Sequence, residues 1–403
     1  MSRVDVVVVG AGPGGSVAAL CLARAGARVV IVDKRSFPRD KACGDLIGPR
    51  GVRLLDELGV DVPGARRLGD MIVVAPNGRR ALLPALPGVD YPGHALAIPR
   101  HEFDAALFDA AVEAGATHVR DRVTGLVDDG GVRLSGGADV LADVVIGADG
   151  AQSAVAEAAG LVDDRRALWG FALRRYVAAP VELPHILLWE PERWRLFPGY
   201  GWIFPTPDGG ANVGLGLAVG AGDRREARRA AAQFGDFLRH LRAEGLLSTV
   251  PDADALLGGW LKMGAVGTVA ARGNVLLVGD AAGLVNPLQG EGIAQAMASG
   301  RAAAAAITAG PAAAAKRYVA DLHAMTGHQR RNAPVQRGIV RHPAAVSVTA
   351  RVLTAPVVRS ALAGGWSLYW NDLVDGAQPS AHRRVAVAAT RLVSAATRRS
   401  RAE

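Results

Sequence analysis

Cysteine and aromatic residues are scarce in this chain. Only Cys21 and Cys43 occur among its 403 residues, too few for a disulfide framework, and this usage predicts a reducing, cytoplasmic setting. Aromatics make up 5% of the residues, so a local concentration of rings carries information. Uninterrupted apolar runs all fall well short of the roughly 18 residues of a spanning helix, which predicts no transmembrane segment. An apolar strand run already begins at Val4, and a cleavable leader ahead of it is not expected. No metal site is expected either.

Acidic residues thin out towards one end. From Ala313 to Glu403 there are fourteen Lys or Arg against four Asp or Glu, while the whole chain carries +8. Arg384, Arg391 and Arg398 recur every seven residues, and Val385, Ala389, Leu392 and Ala396 fall on another face of a helix. Such a basic amphipathic helix suits an anionic membrane surface; a solvated capping helix or a frayed tail is the plainer reading. Nucleic acid is not an expected partner, because the basic stretch interleaves only Trp366, Tyr369 and Trp370.

What is present begins with Val4–Val9, an apolar run suited to a buried parallel strand, followed by Gly10, Gly12, Gly14 and Gly15. Gly10, Gly12 and Gly15 have the spacing of a dinucleotide fingerprint, in which glycines serve the tight turn, the approach of backbone to phosphate and close helix packing. A helix from Val17 onward then offers its N-terminus to an anion. The next strand ends at Asp33, about 20 residues past the glycines, where an acid suits a ribose. Far downstream, Asn274-Val-Leu-Leu-Val-Gly279-Asp280-Ala-Ala-Gly283 places an acid after a second buried strand, suited to ribityl hydroxyls or, in the plainer reading, to capping the next helix. Together these segments predict a flavin adenine dinucleotide (FAD) site.

The expected architecture is α/β, a Rossmann-like FAD-binding domain with a β-rich substrate domain and a C-terminal helical extension. The FAD-binding domain is expected over 1–70, 96–160 and 262–325. The substrate domain takes 71–95 and 161–261, with short strands and one helix near 223–245. The basic extension takes 326–403. Trp189, Trp194, Phe197, Tyr200, Trp202 and Phe204 crowd one segment, and Tyr200, Trp202 and Phe204 share one strand face by period-two alternation. Such a face binds apolar substrate or forms ordinary core.

These motifs carry a resemblance. Gly147-Ala-Asp149-Gly150 and Gly279-Asp280 resemble the middle and late motifs of flavoprotein hydroxylases. Lys41-Ala-Cys43-Gly44, Tyr200-Gly-Trp202-Ile-Phe204-Pro205 and Pro287-Leu-Gln-Gly290-Glu291-Gly292-Ile293 more narrowly resemble the geranylgeranyl reductase family. The chain departs at Asp45, where many members carry a second glycine, and at Gly199, alone between Pro198 and Tyr200. The resemblance implies cofactor contacts at Lys34, Arg39, Cys43, Gly44, Arg100, Asp149, Gly279, Pro287, Gly290, Gly292 and Ile293. It implies a substrate pocket at Trp189, Tyr200, Trp202 and Phe204. Cys43 and Asp45 are the candidate proton donors, with Lys41 near enough in sequence to act on the thiol.

The resemblance further implies noncovalent FAD and reduction of a carbon–carbon double bond in a prenyl-type substrate. No second Gly-rich unit is evident, so NADPH or reduced ferredoxin is expected to bind only transiently. The alternative is an FAD-dependent monooxygenase, hydroxylase or epoxidase, on the same scaffold; the halogenase signature is only partly mimicked at Tyr200 to Pro205. A noncatalytic flavin- or lipid-binding protein is the reading from another class.

Overall fold

The computed structural model describes residues 3–74, 78, 80–83, 92–188, 199–219, 224–248, 256–287 and 290–326. Trp189 and the extension beyond 326, including the expected basic helix, lie outside these residues.

Val6, Val7, Val8 and Val9 are all buried, because their strand, Val4–Val9, is central to a parallel set covered on both faces. It pairs with Val29–Asp33 on one side and Asp139–Gly147 on the other. Val275–Leu277 and Thr117–Arg120 flank that trio in parallel. A continuous apolar run is what a strand buried on both faces requires. Shorter antiparallel strands complete an eight-stranded sheet.

Two helices lie against each other over this sheet, Pro13–Arg24 and Ile293–Thr308. A Cβ on Gly300 would stand 2.2 Å from the Gly14 carbonyl oxygen, so the crossing needs a glycine there. A third helix, Arg100–Glu113, buries Phe103, Leu107 and Ala111 in the same core.

A seven-stranded sheet runs in the order Leu257–Met263, Leu168–Val177, Ala211–Val219, Gly199–Pro205, His185–Leu188, Met71–Val74, Arg80–Leu83. Two of its strands are longer than the short ones expected. Leu168–Val177 has ten residues and Ala211–Val219 nine. In the second, Ala211, Val213, Leu215 and Leu217 alternate on one face, and Gly214 and Gly216 fall on the other. In space these glycines seat a ring: a Cβ on Gly214 would fall 2.1 Å from Trp202.

The helix Arg224–Ala243 covers one face of this sheet, packing Phe234, Phe237, Leu238 and Leu241 against Leu173, Ile203, Val213 and Leu215. Gly201 and Ile203 point to that helix. Tyr200, Trp202 and Phe204 therefore point the other way, where they cluster with Ala172, Leu46 and Leu261. That second face meets the loop carrying Cys43.

Candidate active site

The glycine loop is shaped by contacts that exclude side chains. Gly10 has φ +98°, and a Cβ on it would approach the Ala148 carbonyl oxygen to 2.5 Å. A Cβ on Gly15 would lie 1.9 Å from the Gly10 oxygen. Gly12 differs: only the Arg39 guanidinium lies within 4 Å of its added Cβ. The backbone is thus open at the one glycine where a pyrophosphate must approach, and a guanidinium stands beside it. Gly12 caps the following helix without any side-chain cap or acid in its first turn, which leaves the positive helix end available to an anion. Asp33 is buried, accepting from Ala11 N–H at 2.8 Å and Arg35 N–H at 2.9 Å. Lys34 is exposed. The residues fit the adenosine and pyrophosphate of FAD.

The loop after Arg39 is tied on several sides. Arg39 pairs with Asp104 at 3.2 Å. Arg100 forms a two-pronged pair with Asp104, at 2.7 and 2.8 Å, with both side chains buried. Asp104, which the sequence did not mark, therefore holds both arginines. Burial opposes the charge on Arg100, but Asp104 overcomes it and holds the guanidinium above its ordinary pKa. Arg100 is 4% exposed, so this ion pair is buried.

Lys41 pairs with Asp280 at 3.3 Å. The expectation that Lys41 would activate the Cys43 thiol is thereby corrected. Burial pushes the thiol pKa up, and the cation that opposes this is Arg100. Asp280 follows Gly279, whose φ is +56°, in a short turn capped by Val278. The helix after it begins at Gly292, not at Asp280, so the acid is not a helix cap. Its Oδ1 lies 3.6 Å from a Cβ built on Gly292, which brings the late acid and the Gly290–Ile293 turn together. The N-terminus of Ile293–Thr308 also lacks a side-chain cap. A Cβ on Gly290 would lie 2.5 Å from the Tyr200 hydroxyl, so this turn touches the aromatic face as well. Pro287 adjoins it, and Ile293 is buried. Asp149 accepts from Ser153 Oγ at 2.5 Å and from Val155 N–H at 3.2 Å. It braces the loop beside Gly10; burial raises its pKa against those donors.

Tyr200 and Trp202 have ring centroids 6.0 Å apart, and Trp202 and Phe204 6.3 Å. A Cβ on Gly44 would stand 2.8 Å from the Phe204 ring and 3.4 Å from Trp202 Nε1. The Cys43-Gly44-Asp45 loop and the aromatic strand are therefore in direct contact.

A family model described as an FAD binding domain matches residues 3–175. The menaquinone reductase of Mycolicibacterium smegmatis is 39% identical over 325 residues, covering 77% of each chain. The digeranylgeranylglycerophospholipid reductase 2 of Methanopyrus kandleri is 33% identical, over 74% of this chain and 75% of that one. The chain belongs to the geranylgeranyl reductase family. It is an FAD-dependent oxidoreductase. The fold agrees: a geranylgeranyl bacteriochlorophyll reductase-like protein from Thermoplasma acidophilum superposes with TM-score 0.67 at 21% identity, over 96% of this chain and 95% of that one. A flavin-dependent brominase superposes with TM-score 0.68 at 17% identity, over 99% and 100%.

Against that family background, the departure at Asp45 acquires a structural meaning. Asp45 has φ +59°, the left-handed region where glycine is at ease and aspartate is among the more tolerant residues. Its side chain is 2% exposed. Oδ2 accepts from the Tyr176 hydroxyl at 2.5 Å and from Asn212 Nδ2 at 2.8 Å. Burial raises the Asp45 pKa to about 6, although Tyr176, Arg174, Asn212 and Arg100 all pull it down. Asn212 also donates to the Cys43 carbonyl at 2.8 Å and accepts from Trp202 Nε1 at 2.9 Å. Arg174 lies over the Tyr176 ring at 4.2 Å and pairs with Asp40. The sequence singled out none of Arg174, Tyr176 or Asn212. They lie 129 or more residues beyond Asp45, and no local spacing announces them. Lys262 is a further buried cation near the late motif, 5.3 Å over the Trp169 ring; burial lowers its pKa, opposed by Asp164, Asp149, Asp280 and Glu157.

Proposed function

We propose that this oxidoreductase reduces carbon–carbon double bonds in a prenyl-type substrate. The observation that carries the reading is the contact between the Cys43-Gly44-Asp45 loop and the Tyr200-Trp202-Phe204 face, both adjoining the cofactor-binding segments. In this reading Gly10, Gly12, Gly14, Gly15, Asp33, Lys34 and Arg39 hold the adenosine and pyrophosphate of FAD. Arg100, Asp149, Gly279, Asp280, Pro287, Gly290, Gly292 and Ile293 hold the ribityl and flavin end. Bound FAD, once reduced, supplies the hydride for the alkene.

The chain's own residues then have distinct tasks. Tyr200, Trp202 and Phe204 bury apolar substrate and exclude water, with the tyrosine hydroxyl as the polar tip. The uncapped helix end at Gly292 favours negative charge beside it. Cys43 or Asp45 provides the proton that completes the reduction. A donor that docks transiently, NADPH or reduced ferredoxin, supplies the electrons. The relatives named as reductases of menaquinone and of a digeranylgeranyl lipid support the substrate class. The net positive stretch from Ala313 to Glu403 supports collecting such a substrate at an anionic membrane surface.

The test is incubation of the reduced, FAD-loaded protein with a panel of prenyl quinones and prenyl lipids under anaerobic conditions. The expected product is heavier by two hydrogens. A product formed only with oxygen and carrying an added oxygen atom would replace the reading with oxygenation.

A further inference from the structure

Asp45 holds a contradiction that the site described so far does not use. Both of its carboxyl oxygens are enclosed, yet they are treated oppositely. Oδ2 receives two donors, Tyr176 at 2.5 Å and Asn212 at 2.8 Å. Oδ1 is buried and has no hydrogen-bond partner. An orphan acceptor on an ionised carboxylate is costly in an interior, and such a group calls for an explanation.

The orientation of Asn212 is fixed by its neighbours. Trp202 Nε1 can only donate, so the Asn212 atom facing it at 2.9 Å is the oxygen. The amide nitrogen must then face Asp45 Oδ2 and the Cys43 carbonyl. Tyr176 stays protonated, since burial first and Asp45 second push its pKa up, and it therefore also donates. Oδ2 is saturated by donors. A proton bound to Asp45 has only Oδ1 to occupy, and that converts the orphan acceptor into a donor.

We propose that Tyr176 and Asn212 are positioning residues that clamp Asp45 Oδ2, placing on Oδ1 the proton that Asp45 gives to the substrate. This rests on the reductase reading above and deepens it. In the reaction, hydride adds to one alkene carbon and the Asp45 Oδ1–H bond breaks to protonate the other. The resulting Asp45 carboxylate is then reprotonated from water. Two electrons leave the cofactor and enter the substrate. The backbone already couples the pair, because Asp45 N–H donates to Cys43 Sγ at 3.3 Å. The groups facing Asp45 are Tyr176, Arg174 and Asn212 from the sheet, Arg100 from its helix and Cys43 from the loop. Burial holds the Cys43 thiol above its ordinary pKa, so the group that titrates near 6 is Asp45.

The test combines infrared difference spectroscopy of the FAD-loaded protein with the rate at which substrate reoxidises the reduced holoenzyme. A protonated-carboxyl band should vanish as pH rises through about 6, and Asp45→Asn should remove it. Tyr176→Phe deletes a donor to the charged form, so the same band should persist about one pH unit higher, the size of one hydrogen bond to a charge. The wild-type rate should fall about tenfold per pH unit above that point, and Tyr176→Phe should move the fall upward by the same amount. A band that does not titrate, one unmoved by Tyr176→Phe, or a rate indifferent to it overturns the proposal. If the band behaves as expected but no alkene is reduced, the reductase reading fails while the clamp stands.

Discussion

Asp45 is the residue at which chemistry and stability meet. Its folded pKa of about 6 exceeds the ordinary 3.8, so the folded state holds a proton that the unfolded chain releases. The stabilising contribution is complete below about 4 and is lost as pH rises through about 6. Wild type should therefore lose on the order of 3 kcal/mol relative to Asp45→Asn between pH 4 and 7. Denaturant unfolding of both proteins across that range checks it; parallel curves would contradict it. Arg100 and Asp104 make the opposite case. Replacing Asp104 with Ala leaves two arginines without their shared carboxylate, one of them deeply buried. The expected cost is about 3–5 kcal/mol in the same unfolding measurement, with weaker FAD retention. Trp202→Phe keeps the ring but deletes the donor to Asn212 Oδ1. A loss of about 1–3 kcal/mol is expected.

At the scale of elements, the two glycine-mediated packings are the sensitive points. A methyl on Gly15 or Gly300 would meet carbonyl oxygen of another segment at 1.9 or 2.2 Å. Gly300→Ala should prise apart Pro13–Arg24 and Ile293–Thr308, costing about 1–3 kcal/mol and loosening FAD, seen as released flavin fluorescence on gentle heating. Unchanged flavin retention and melting would contradict this. These elements were legible in the sequence because each is local. A run of valines, a glycine spacing and a terminal acid all fall within residues 4–33, and the shared face of Tyr200, Trp202 and Phe204 follows from alternation alone. The clamp on Asp45 was not legible. Arg174, Tyr176 and Asn212 are separated from it by 129 or more positions and converge only through the pairing of Leu168–Val177 with Ala211–Val219, where Tyr176 stands opposite Asn212. Lys41 shows the same limit of spacing: Cys43 is near in sequence, yet the partner is Asp280.

Across the whole molecule, the segment Asp40–Asp45 joins the two large sheets. It reaches Asp280 at the end of the eight-stranded sheet through Lys41, and the seven-stranded sheet through Asp40, Cys43 and Asp45. In the proposed reading, cofactor and substrate surfaces are thus built against one loop. Among the described residues, no helix is long and apolar enough to cross a membrane. The most direct measurement is mass spectrometry of a prenyl quinone or prenyl lipid after one turnover with the reduced holoenzyme in deuterated buffer without oxygen. Gain of two hydrogens, with one deuterium at the protonated carbon, is the expected result. Unaltered substrate across the panel, or incorporation of oxygen once air is admitted, would contradict it.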